Sequence, residues 1–169
     1  MSALLMLMAA GVLRSTPDLG IAEGRCRANE PGPALLVNVQ GLYDRRGRIK
    51  IEVYPSNNQD FLADDNVLIS TGKTFRRVDV PTPAQGPVQL CIRVPQAGAY
   101  SLMVLHDRDS NHRFSISSGD GIGFGSNPRL GLGRPSAAAT RVVAGPQITP
   151  VNVVINYRRG MAFRPLGAH

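Results

Sequence analysis

Residues 87–106, PVQLCIRVPQAGAYSLMVLH, carry two apolar rhythms that decide the fold. Val88, Leu90, Ile92 and Val94 fall on alternate positions, the pattern of a strand with one buried face. Pro95–Gly98 makes a tight turn. Ala99–His106 then places Tyr100, Leu102 and Val104 on one face and Met103 and Leu105 on the other. A strand apolar on both faces is predicted to be central and covered on both sides. Working outward, Leu35, Val37 and Val39 alternate with Asn38 and Gln40. Ile49, Ile51 and Val53 alternate with Lys50, Glu52 and Tyr54. With a turn at Asp44–Gly47, these two segments are predicted to pair as an antiparallel hairpin.

Thr74–Val80, Thr140–Val143 and Pro150–Tyr157 complete a set of about seven short strands. Pro81–Pro87 holds three prolines and must be a connection. A short helix or coil fits Asp60–Ser70. No segment of helical period separates the strands, which disfavours parallel α/β units. The expected fold is an all-β, antiparallel β-sandwich, immunoglobulin-like or transthyretin-like. A small β-barrel is the alternative.

The chain has 169 residues, enough for one self-sufficient core. Residues 1–22 are predicted as a signal peptide, because Met1–Leu13 (MSALLMLMAAGVL) is apolar and too short to span a bilayer. A buried N-terminal helix is the alternative. Residues 23–33 form a polar arm, 34–157 the sandwich, and 158–169 a mobile basic tail. Nothing else is long and apolar enough for a transmembrane segment. Localisation is expected to be exported, periplasmic or extracellular.

Two cysteines, Cys26 and Cys91, suit one disulfide in an exported chain. Strand parity agrees. Cys91 falls with Gln89 and Arg93, opposite the apolar set, where an arm carrying Cys26 can reach it. The net charge is +7 and the isoelectric point about 10.2. Such a balance permits anionic partners without requiring them. The basic residues are scattered, and no zinc-finger spacing or aromatic–basic interleaving appears, so nucleic acid is not the expected partner.

Ligand chemistry concentrates just after the central strand. Asp107, Asp109 and Asn111 have the 1, 3, 5 spacing of a calcium loop. His112 stands where such a loop needs glycine, and Ser118 where it needs a bidentate Glu, so an EF-hand is excluded. The residues read as an Asx-rich turn or as a weak Ca²⁺ site. His106 and His112 flank that turn and could add transition-metal ligands, but no third histidine or acidic base completes a catalytic centre. Glycines follow at 119, 121, 123 and 125. They fit neither phosphate-binding fingerprint and suggest a loop lying tightly against other backbone. Ser126 lacks the context of a nucleophile elbow, since Phe124 replaces its glycine.

Gly98-x-Tyr100, His106-Asp107-x-Asp109-x-Asn111 and Gly123-Phe124-Gly125-Ser126-Asn127-Pro128 together resemble the domain of unknown function 2141 family. The resemblance runs over 34–157 and implies a small exported bacterial β-domain with no assigned activity. Three positions depart from the family pattern. Asp109 stands for Asn, His112 for Gly, and Ser115 for an expected Asp.

The expected function is therefore a non-catalytic exported domain, not an enzyme and without a cofactor, and monomeric. It would bind a protein, glycan or envelope partner through the loop edge 106–128, with His106, His112, Phe124, Ser126 and Asn127 as the candidate binding edge. The alternative is a metal-binding protein or metal-dependent enzyme built on the His-Asp-x-Asp-x-Asn turn.

Overall fold

The structure is a computed structural model and describes residues 24–27 and 29–167. The predicted signal peptide lies outside the described residues. Among the described residues, ten strands follow in order: β1 (Ala34–Gln40), β2 (Arg48–Pro55), β3 (Arg76–Pro81), β4 (Val88–Arg93), β5 (Gly98–Asp107), β6 (Gly121–Phe124), β7 (Arg141–Ala144), β8 (Ile148–Val154), β9 (Asn156–Arg159) and β10 (Ala162–Pro165). A short helix, α1 (Asp65–Ser70), interrupts them. They form a sandwich of two sheets and no closed barrel. The smaller sheet has the order β4-β1-β8; the larger runs β10-β9-β6-β5-β2-β3, with β7 also paired to β5.

The hairpin expected between 34–40 and 48–54 does not form. β1 pairs β4 and β8, whereas β2 pairs β3 and β5 in the other sheet. Both segments carry one apolar face, and those faces meet across the core instead of lying side by side. Leu35 and Val37 pack in one cluster with Ile49, Ile51 and Val53. Alternation specifies a buried face but not which strand lies beside it. The β1–β8 pair is also parallel, a departure from the all-antiparallel expectation.

Central placement of β5 holds. It pairs β2, β6 and β7, and every residue from Tyr100 to Asp107 is buried. Tyr100, Leu102 and Val104 face the inter-sheet core. Met103 and Leu105 face a second cluster with Tyr54, Phe61, Leu68, Phe75 and Phe124. Asp64 caps α1 by accepting from the backbone N–H of Asn66 and Val67, and the helix lays Leu68 into that cluster.

Pro150–Tyr157 is two strands, not one. β8 ends in the small sheet, Ile155 crosses the edge, and β9 joins the large sheet. The Ile155 N–H donates to the Gln40 carbonyl at the crossing. The tail expected from Arg158 is ordered structure instead: β9 and β10 form a hairpin around Gly160 and Met161. Pairing with β9 satisfies the backbone that a free tail would leave to water.

Cys26 and Cys91 form the disulfide, with Cα atoms 5.1 Å apart. The arm that carries Cys26 lies along the outer edge of β4. The Cys91 N–H donates to Gly24 and the Val94 N–H to Pro33, while Arg93 pairs with Glu30 at 3.0 Å. The arm thus covers an edge that would otherwise be open to pairing.

Candidate functional site

β5 delivers His106 and Asp107 to the end of the large sheet, where 41–47 and 108–120 fold over them. His106 is wholly buried. Its Nε2 lies 2.9 Å from the Arg46 carbonyl, which can only accept, so Nε2 carries the proton. Nδ1 is then the acceptor for the Tyr157 hydroxyl at 2.6 Å. The Tyr157 oxygen in turn accepts the Tyr43 N–H at 2.9 Å. Burial lowers the pKa of His106 and keeps the ring neutral. Burial also pushes the Tyr157 hydroxyl up to about 12. The relay fastens the 41–47 loop to two strands and engages both ring nitrogens.

Gly121 makes the relay possible. It sits opposite Tyr157 and His106 in the sheet register. A Cβ there would lie 2.4 Å from both Ile155 Cγ2 and Tyr157 Cε1. A Cβ on Gly123 would meet Val153 at 2.7 Å and the Val154 carbonyl at 2.8 Å. The glycines at 121 and 123, expected in a loop, are thus the inward positions of β6, where β8 and β9 press closest. The tight approach was legible from sequence; its strand context was not.

Two buried carboxylates organise the 108–120 loop. Asp107 accepts the Asn111 N–H at 3.2 Å and the His112 N–H at 2.7 Å. Asp120 accepts the Arg108 and Ser115 N–H groups, both at 2.9 Å. Asp109 completes a group whose ligand oxygens all lie within 4.8 Å of one another. The acidic cluster is therefore Asp107, Asp109 and Asp120. Asn111 directs its amide nitrogen at Asp109, while its side-chain oxygen accepts the Arg113 N–H. Asp120 was missed because it stands far along the chain from Asp107 and only the loop's return brings it close. Burial chiefly raises the pKa of Asp107; N–H donation from His112 opposes that, and the neighbouring Asp109 and Asp120 carboxyls add to it.

His112 adopts φ +64 at the position where the resembled family has glycine. Its ring Nδ1 lies 2.8 Å from Asp79, and its carbonyl accepts from Lys50 at 2.9 Å. The loop needs a left-handed corner there, and polar contacts hold a non-glycine residue in it.

Most of the expected binding edge serves the fold itself. His106 and Phe124 are buried. Ser126, Asn127 and His112 are exposed, yet each is already engaged. The Ser126 hydroxyl donates to the Arg141 carbonyl at 2.6 Å, which ties it to β7. Asn127 bonds the Asn152 carbonyl and the Val154 N–H, capping the edge of β8. His112 leans on Asp79 of β3. These polar groups hold loops to strands.

Beside these polar groups the edge also presents apolar side chains. Phe114 and Ile116 are exposed on the 108–120 loop, and the Phe114 ring meets Phe163 of β10 at 5.8 Å. Leu130 bridges to Phe163. On one side of that ridge lies a hollow of about 220 Å³, lined among others by Leu62, Phe114, Ile122 and Leu132. On the other lies a broader one of about 550 Å³, which Asn127, Arg129, Asn156 and Arg164 border.

A family model described as "Uncharacterized protein conserved in bacteria (DUF2141)" matches residues 37–152, more than half of the chain. The chain belongs to the DUF2141 family. Within that match lie β5, the acidic turn and β6, the segments that carried the resemblance. Cys26 and the β9–β10 hairpin fall outside it. Comparison with curated proteins and with solved structures returned no match. Among the described residues no helix is long and apolar enough to cross a membrane.

Proposed function

We propose that this DUF2141 protein is a non-catalytic, exported binding domain. Its partner would sit on the loop edge formed by 113–117, 128–136 and the β9–β10 hairpin. One contrast carries the reading. The buried polar groups of the turn, His106, Asp107 and Asp120, are engaged by other groups of the fold, while the surface beside them opens into an apolar hollow. A catalytic site needs groups free to touch substrate; a binding seat needs accessible apolar area with few polar groups around it. The disulfide and the apolar N-terminal run support export, because cystines persist in oxidising compartments.

An anionic naphthalene dye that fluoresces in apolar surroundings tests the seat. The protein should bind it, and Leu132→Asp should abolish binding without lowering the melting temperature. Turnover in a hydrolase screen that disappears in a folded His106→Gln variant would overturn the non-catalytic reading.

A second reading, weak Ca²⁺ binding, draws on the convergence of Asp107, Asp109 and Asp120. Asp107 is raised by burial, by its hydrogen bond with Asp109 and by the charge of Asp120, and a cation beside it would favour the carboxylate form.

A further inference from the structure

The chain's charge is strongly segregated. After Asp120 the sequence contains no Asp or Glu, yet it carries Arg129, Arg134, Arg141, Arg158, Arg159 and Arg164. Those six account for almost all of the net charge of +7. Before Asp120 acidic residues nearly balance the basic ones, and several arginines are paired. Arg48 pairs with Asp79, Arg93 with Glu30, and Arg108 with Asp44. None of the six later arginines forms an ion pair among the described residues. Arg134, Arg141 and Arg158 contact only neutral oxygens, of Asn58, Ser56 and Gly160.

The fold gathers four of them around the apolar edge. Arg134 borders the small hollow. Arg129 and Arg164 border the broad one. Arg158 lies beside Phe114 and Ile116. The same edge carries well-exposed apolar side chains: Leu132, which shares the small hollow with Arg134, at 61 %, and Met161, at the tip of the β9–β10 hairpin that carries Arg158 and Arg164, at 73 %.

Resting on the binding reading above, we propose that this face docks on an anionic lipid surface. The arginines would meet lipid headgroups while Met161, Leu132 and Ile116 enter the headgroup–acyl boundary. The two requirements, negative charge and an adjoining apolar layer, are met together at an anionic bilayer. Nucleic acid fits less well. It rewards planar side chains that stack on bases, whereas the exposed tips here are aliphatic. A soluble polyanion would use the arginines and leave Met161 and Leu132 in water.

Vesicle co-sedimentation tests this, with phosphatidylcholine vesicles made with and without phosphatidylglycerol. The full chain and its variants share residues 1–22, so only differences between them report on this face. The wild type should prefer the phosphatidylglycerol vesicles, and salt should erode the preference. Arg134→Gln with Arg158→Gln, two arginines that stand beside Phe114, should cut the preference about 25-fold, at about fivefold per arginine. Met161→Ser with Leu132→Ser should weaken binding to the anionic vesicles while leaving the salt dependence unchanged. These positions are exposed, so the variants should melt with the wild type.

A parallel arm uses immobilised heparin and an acidic peptide. No preference for anionic vesicles, or a preference that neither double variant changes, overturns the lipid inference. If heparin or the peptide is then retained in an arginine-dependent way, the edge remains a binding seat for a soluble polyanion. If neither is retained and the dye also fails to bind, the binding reading falls as well.

Discussion

Gly121→Ala adds a single methyl group at the most crowded position of β6. The backbone there needs no left-handed conformation, so the effect is one of space. The new Cβ would lie 2.4 Å from Ile155 Cγ2, 2.4 Å from Tyr157 Cε1 and 2.6 Å from Tyr157 Cζ. Carbon atoms rest about 3.5–4.0 Å apart, so the neighbours must retreat by about 1 Å. Neither can swing into solvent, since both are buried. A ring displaced that far strains its 2.6 Å bond to His106 and its 2.9 Å bond from Tyr43. Overpacking of this kind costs about 1–3 kcal/mol, and a weakened buried hydrogen bond about 1 kcal/mol more. The lower unfolded-state entropy of alanine offsets about 0.4–1 kcal/mol. The net expectation is a loss of about 2–3 kcal/mol, or roughly 4–12 °C in melting temperature for a chain of this size. Urea unfolding followed by circular dichroism measures it. Gly131→Ala is the control, because nothing lies within 4 Å of where its new methyl group would sit and its φ is not positive; it should stay within about 0.5 kcal/mol of wild type. Equal midpoints for the two variants would refute the packing account of β6.

Three further outcomes are expected. Replacing both cysteines by serine opens a link between residues 65 apart and should cost about 4 kcal/mol in calorimetric melts, the chain-entropy value for that loop; a shift under a degree would deny the arm its structural role. His106 has a folded pKa below its ordinary 6.5, so protonation favours the unfolded chain. Its contribution is present above that value and is lost as pH falls towards the folded pKa, with a slope of at most about 1.4 kcal/mol per pH unit. Asp107, raised in the fold, acts in the opposite sense, so the difference between wild type and His106→Gln isolates the histidine; matching pH profiles would contradict its buried neutral state. Calcium added to chelator-treated protein should raise the melting temperature, and Asp109→Asn should cancel the rise; an unmoved melt with excess Ca²⁺ removes the cation reading.

The alternations in Leu35–Val39, Ile49–Val53 and Val88–Val94 were enough to specify buried strand faces and an all-β sandwich, because a pleated strand turns every second side chain the same way. The two-sided apolarity of Tyr100–His106 marked the central strand, and the parity of Cys91 marked the outward thiol that Cys26 meets. Those properties are local, and a local pattern determines them. Partner strands are not local: period-two alternation cannot distinguish a neighbour in the same sheet from a strand facing it across the core, and so 34–40 and 48–54 ended in different sheets. The same holds for the site. Spacing pointed to Asp107, Asp109 and Asn111, and the return of the loop adds Asp120 beside the two aspartates, while the Asn111 side-chain oxygen accepts the Arg113 N–H. His106 and Tyr157, 51 residues apart, become one hydrogen-bonded pair only because Gly121 leaves room between their strands. Whether a polar side chain is a ligand or a fastening depends on which backbone donors reach it first, and folding alone brings those donors near.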